Sequence, residues 1–486
     1  MALASALCLT FDEGISGCVR ARISYSLRVF AAIYGHRVVE PGEDVGAIAC
    51  HYGVQVPDKS RQKFFHIPAR YRDLSKDNGH RSLIPRRYGG EALCLSFGMD
   101  AASGRPDWLG EIFEWISCGY ERGVRERDSV GRIACYDAVF YKRGISPRKP
   151  YAALLMAWME HALRKGDGRE ALPLAPSPVP GVKHFVVCSH DIDFFYSSRS
   201  AAITRLVKNL GIGLRDYRNW PFIAWNAKNI PRVVGGERIG DYLPRLFDLL
   251  EGLEFRSTLF VVGNHAHRRD PDYQLKDLRP HLIAAERRGF SVGVHGSYQS
   301  CIEAGTLAPE IREIENVTGC RMKGGRQHWL RFDNHERLFD MVEEAGLTYD
   351  STLGFPETVG FRNGANFAFP PYDFKREKAY EFLEIPLVIM DGGLQAASVA
   401  SRAKPQEIAD EVLNESRKYG WGGISALWHN PVEPIQVPEE TNQVFWNCAR
   451  RRGEYGEKWM SADEFVACVL PRYQNAGLLQ GVEGHA

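Results

Sequence analysis

From residue 183 onward the chain alternates short β-rich runs with segments of helical spacing, and this alternation constrains the fold more than any other feature. Lys183–His190 (KHFVVCSH) and Phe255–Val262 (FRSTLFVV) read as strands. Tyr273–Arg288 has helical spacing, stops at Gly289 and leads into the short run Phe290–His295. Asp333–Ala345 is a helix with Asp333 or Asn334 as its cap and Gly346 as its stop. Tyr380–Met390 and Gly423–Trp428 are further strands, separated by a helix over Pro405–Tyr419. Strands alternating with helices pair in parallel, which leaves an α/β barrel or an open sheet. A stretch of about 300 residues suits one elaborated barrel.

A boundary precedes this region. Pro173, Pro176, Pro178 and Pro180 stiffen the chain and break any helix. They divide an N-terminal domain (1–172) from a linker (173–182) and the barrel (183–486). In the first part, Asp107 can cap a helix that places Leu109, Ile112, Phe113 and Ile116 on one face, and Tyr151–Arg164 is a second, apolar helix. The first hundred residues carry no chemical motif.

Bulk properties exclude some functions. With 61 Lys+Arg against 60 Asp+Glu, no net charge draws the chain to nucleic acid or an acidic membrane. No apolar run approaches the roughly 20 residues of a membrane span, and the opening MALASALCLTF makes a poor signal peptide. Eleven scattered cysteines without a CxxC pair fit reduced thiols and a cytoplasmic location.

Chemistry in a barrel gathers at the carboxyl ends of strands, and four such ends here carry polar residues. The first ends in His190-Asp191-Ile192-Asp193, where two carboxylates at i and i+2 share one strand face. Both stay ionised comfortably only beside a cation; a metal or one raised pKa resolves the conflict. Helix-capping or solvated aspartates are the plain alternative. A later strand ends at His295 (VGVHGSYQS), the last at Leu427-Trp428-His429-Asn430, and a further element reads Gly-Gly-Arg326-Gln-His328-Trp329, with Tyr349-Asp350-Ser351-Thr352 beyond it.

In that order the residues resemble the polysaccharide deacetylase family, carbohydrate esterase family 4, over roughly residues 100–430. HDID, HGSY, RQHWLRF, YDSTLGF and GFR-G are similar to a branch found with bacterial exopolysaccharide and surface-glycan genes, whose members also carry an N-terminal domain. The resemblance implies a distorted (β/α)7 barrel preceded by a smaller mixed α/β domain. It implies Asp191 as general base, Asp193 and His295 as metal ligands, Arg326 as the group orienting the base, and His429 as general acid. Asp350-Ser351 matches a pocket-wall motif, and Leu427 matches the apolar residue two places before the acid.

One position departs from the family, which has a second histidine four residues after the first. Here that residue is Gln299, a poorer zinc ligand than imidazole. Catalytic zinc takes about three protein ligands plus a water, so Gln299, Ser297 and Ser300 are the candidates for the third: either the metal is held by a weaker set, or the site has lost it. His190 points to the other strand face. Leu427, Trp428, Trp329 and Arg362 are expected along the substrate, Arg362 being equally suited to a structural ion pair.

The implied activity is metal-assisted removal of the acetyl group from an N-acetylated sugar, with a divalent metal, expected to be zinc. A catalytically silent glycan-binding domain and a small-amide C–N hydrolase are the alternatives. Gly289-Phe-Ser291-Val-Gly293 fits the GxSxG pattern of serine hydrolases, but Ser291 follows a helix stop and opens a strand, against the geometry of a nucleophile elbow.

Overall fold

A computed structural model describes residues 5–480 except 45, 55–63, 72–82, 123, 135–143, 165–170, 197, 213, 215–219, 238–239, 272, 301, 304 and 434–436. In the N-terminal part, β1 (Ala6–Phe11), β2 (Arg37–Val39), β3 (Ile48–Gly53) and β4 (Phe64–Pro68) form a parallel sheet in the order β2-β1-β3-β4. Helix Gly17–Tyr34 makes the crossover after β1. A hairpin of β5 (Ile84–Tyr88) and β6 (Glu91–Leu95) and the helices Trp108–Ile116 and Tyr151–Leu163 complete this part. Asp107 does cap its helix, accepting from the Gly110 amide.

The second part is a curled parallel sheet. Its staves are β7 (His184–Asp191), β8 (Thr258–Val261), β9 (Ser291–Gly296), β10 (Gly324–Gln327), β11 (Tyr349–Asp350) and β16 (Gly422–Leu427), with β14 (Leu383–Glu384) and β15 (Leu387–Met390) at the two sheet edges. β12 (Tyr372–Asp373) and β13 (Lys378–Ala379) form a separate antiparallel pair, and β17 (Glu457–Met460) fills in beside the amino half of β7.

The single strand expected over Tyr380–Met390 is broken at Pro386, and the break matters. Its first half pairs with β11 and its second with β16. Proline offers no N–H to a ladder, while its carbonyl accepts from the Ser425 amide. One segment thus joins both sheet edges, and with it the staves form a seven-membered ring. Packing sets the spacing: a Cβ on Gly324 would lie 2.0 Å from the Tyr349 ring, so β10 and β11 approach this closely only because position 324 is glycine.

The hydrophobic core runs from Leu7 to Leu479 through both parts without interruption. The Tyr25 hydroxyl donates to the Pro370 carbonyl and the Trp421 indole to the Ile33 carbonyl. Among the described residues no helix is long and apolar enough to cross a membrane.

Candidate active site

At the carboxyl ends of the staves lies a cavity of about 510 Å³ lined by Asp191, Asp193, His295, His328, Trp329 and His429, among others. β7 delivers Asp191 at its last position, and Asp193 follows on the turn, its amide donating to the Asp191 carbonyl. β9 and β10 run in register with His295 opposite Arg326, which sets these two side chains at one height on neighbouring staves. Gly296 permits this, since a Cβ there would lie 2.3 Å from the Gln327 amide oxygen.

Arg326 is wholly buried, and all five of its N–H groups are used. Nη1 donates to Asp191 Oδ1 (2.8 Å) and Ser189 Oγ, Nη2 to the hydroxyls of Ser351 and Ser425, and Nε to the Ser351 carbonyl. Burial alone would raise the Asp191 carboxyl; Arg326, with His295 and His429, outweighs it and holds Asp191 below the ordinary value. Asp191 is thereby kept ionised with one oxygen tethered.

Three donor atoms converge beside it. His295 Nε2 lies 3.6 Å from Asp193 Oδ1, His328 Nδ1 lies 3.5 Å from that same oxygen, and the two imidazole nitrogens are 2.9 Å apart. The outer ring nitrogens face backbone carbonyls: His295 Nδ1 that of Arg326 (3.1 Å) and His328 Nε2 that of Arg269 (2.9 Å). A carbonyl only accepts, so the ring protons sit on those outer nitrogens and both inner nitrogens present lone pairs. Burial takes both imidazoles down to about 4, so neither carries an extra proton at neutral pH. Asp193 Oδ1 is buried without a hydrogen-bond partner. Two imidazole lone pairs and a carboxylate oxygen facing one another suit a divalent cation, and the two-nitrogen, one-oxygen set suits zinc.

The third donor atom grouped with Asp193 and His295 is thus the His328 imidazole, where the sequence reading sought Gln299. Gln299 sits on the turn after β9 and does not line the cavity. Ser297 Oγ donates to Glu310, and Ser300 Oγ donates to Gln327. His328 comes next to the pair as the chain leaves β10 in a tight turn, with Trp329 (φ 65°) and Leu330 (φ 49°) both left-handed. Its sequence signal was a histidine two residues beyond Arg326.

On the opposite wall, His429 Nδ1 is 2.8 Å from Asp391 Oδ1, and its amide donates to Asp391 Oδ2. Burial would lower this imidazole, but Asp391 first, then Asp193 and Asp191, take it up to about 10. Its Nε2 lies 3.6 Å from Asp193 Oδ2. Asp391 heads helix Asp391–Ser401 directly after β15. Asp391 directly follows the strand expected over Tyr380–Met390, so its place at a strand's carboxyl end was legible in the sequence.

The remaining expected residues divide. Trp329 lines the cavity. Leu427 packs with Leu330 and Leu387 against Met390, an apolar patch whose Leu330 and Met390 reach the cavity. Trp428 turns away: its ring packs on Phe445, and its carbonyl accepts from His190 Nδ1 (2.6 Å), which also holds His190 off the site face. Asp350 is buried behind Arg326, accepting from the Thr352 amide, and does not line the cavity. Arg362 makes a buried ion pair with Glu121 of the N-terminal part (3.0 Å) and also lies off the cavity. Ser291 opens β9 at the end opposite His295, its hydroxyl bonded to Ser461.

The fold and the cavity define an α/β barrel with a polar site at the carboxyl ends of its strands. The solved structures similar to this chain include a pseudoenzyme of carbohydrate esterase family 4 from Bacillus anthracis, at 12% identity over 60% of this chain and 69% of that one, with a TM-score of 0.30. A polysaccharide deacetylase from Bacillus cereus is 13% identical over 57% of this chain and 91% of its own, again at a TM-score of 0.30. A peptidoglycan deacetylase from Bacillus subtilis is 9% identical over 60% and 95%, with the same TM-score. No family model and no curated protein matches the sequence.

Proposed function

We propose that the chain is a metal-dependent hydrolase that removes the acetyl group from an N-acetylated sugar, in surface or exopolysaccharide metabolism. The observation that carries this reading is the convergence of three unshared donor atoms, from Asp193, His295 and His328, between a tethered carboxylate and a carboxylate-bound imidazole.

Asp193, His295 and His328 would hold the cation, which when bound polarises an amide carbonyl and acidifies water. Asp191, held ionised by Arg326, takes a proton from the attacking water. A C–O bond forms at the acetyl carbon as the C–N bond breaks. His429, oriented by Asp391, gives its proton to the departing amine, so acetate and a free amino sugar result. Leu330 and Met390 supply an apolar wall for the acetyl methyl. Asp191 and His429 are separate groups with opposite proton tasks, as hydrolysis of an amide requires.

The test is acetate release from N-acetyl sugars by protein loaded with zinc or cobalt, alongside His429→Ala and Asp191→Asn. Each substitution should lower kcat by about 10²–10⁴-fold, the span of a lost general acid or base, with metal content retained. Full metal occupancy without acetate from any N-acetylated sugar would instead favour a glycan-binding role.

A further inference from the structure

The cavity wall beyond the donor atoms is cationic. Arg132, Arg205 and Arg269 all line it, and they come from three separate segments. The carboxylates of the same wall are already engaged. Asp191 is bound by Arg326, Asp193 belongs to the donor cluster, and both oxygens of Asp270 take backbone amides, those of Tyr298 and His267. Arg132 pairs with Asp128 at 2.8 Å. Among the described residues, no carboxylate comes within ion-pairing distance of Arg269.

Arg269 is nonetheless fixed in place. Its Nη1 donates to the Tyr298 hydroxyl (2.7 Å), and its guanidinium carbon lies 4.9 Å from the Tyr298 ring centre and 5.6 Å from that of Trp329. Its carbonyl accepts from His328 Nε2. A cation is thus held beside an aromatic face that lines the cavity, next to a candidate metal ligand, and among the described residues the Tyr298 hydroxyl is the one hydrogen-bond acceptor of its guanidinium. A guanidinium so placed matches a carboxylate or phosphate in two-point geometry, and a concave wall strengthens its field.

Resting on the deacetylase reading, we propose that the substrate is an anionic N-acetylated sugar, its carboxylate or phosphate bound by Arg269 while the ring lies on Trp329. A neutral sugar leaves the Arg269 charge without a counter-ion in the complex.

The experiment compares three matched substrates on zinc-loaded protein: N-acetylglucosamine, its C6 carboxylate (2-acetamido-2-deoxyglucuronate) and its 6-phosphate. One charged form should exceed the neutral sugar in kcat/KM by roughly 10–100-fold, the worth of a charge-assisted hydrogen bond. Which form leads identifies the anion. In Arg269→Gln the charged-to-neutral ratio should fall towards one, and Arg269→Lys should restore part of it. Equal or better use of the neutral sugar, or a preference that survives Arg269→Gln, overturns the proposal. Acetate from none of the three, on protein carrying stoichiometric zinc, overturns this proposal; the deacetylase reading falls with it only when no other N-acetylated sugar yields acetate either.

Discussion

At the scale of single residues, the site turns on which side chain completes the donor set. Gln299 stands where the family resemblance expects an imidazole, and His328, from a different strand end, lies with its Nδ1 3.5 Å from Asp193 Oδ1. Substituting each separates the two assignments. His328→Ala and Asp193→Ala should lose most bound zinc, measured by plasma mass spectrometry after purification without an affinity metal, whereas Gln299→Ala should keep it. Zinc lost with Gln299 and kept without His328 would return the third ligand to the β9 turn. Asp391→Asn should lower kcat by roughly 10–100-fold, because the His429 imidazole loses the carboxylate that orients and charges it, as partner groups behind ligands and acids commonly do.

At the scale of elements, the turn after β10 is held from outside the barrel. Trp329 and Leu330 sit in a left-handed conformation that costs side-chain-bearing residues roughly 1–3 kcal/mol each. The N-terminal part offsets this. Arg132 Nη1 donates to the Trp329 carbonyl (2.5 Å), and Arg331 Nε donates to the Val130 carbonyl (2.9 Å). Arg132→Ala should therefore weaken zinc binding by about 10-fold, read by competition with a chromophoric chelator, although Arg132 touches no donor atom. An unchanged affinity would show the turn to be self-supporting.

A second element-level prediction concerns β17. Burial would raise the Glu457 carboxyl, but His184 and Arg417 (2.9 Å) bring it down from the ordinary 4.5 to about 2. A carboxyl lowered in the folded state stabilises above its unfolded pKa, and that contribution fades as pH falls from about 4.5 to about 2. Urea unfolding across this range should show a decline of order 3 kcal/mol that Glu457→Gln removes.

At the scale of the whole molecule, the two parts behave as one packed body. The core passes from the N-terminal helices into the barrel, and Arg362 on the barrel is buried against Glu121 at 3.0 Å. Cutting Arg362 leaves the buried Glu121 carboxylate with only the His335 imidazole (3.1 Å) beside it, so Arg362→Ala should lower unfolding free energy by about 3–5 kcal/mol. The loss should appear in the denaturant midpoint, and one well below that range would mean that water reaches Glu121. Since Arg362 stays off the cavity, KM should hold at temperatures where the variant is folded.

The sequence by itself determined the barrel and four of its candidate site positions. Apolar runs such as KHFVVCSH specify buried parallel strands wherever they occur, and residues at strand ends such as Asp191, Asp193, His295 and His429 inherit a place at the barrel mouth. Arg326 was legible only through the family resemblance; its place opposite His295 on the next stave is a matter of strand register. Only the tertiary structure decided the rest. His328 joins the donor set through a left-handed turn that no local propensity favours, Asp391 meets His429 across 38 residues, and Arg362 finds Glu121 across 241. Local pattern fixes which face and which end of a strand a residue takes; which side chains then meet is set by packing and burial between segments far apart in the chain.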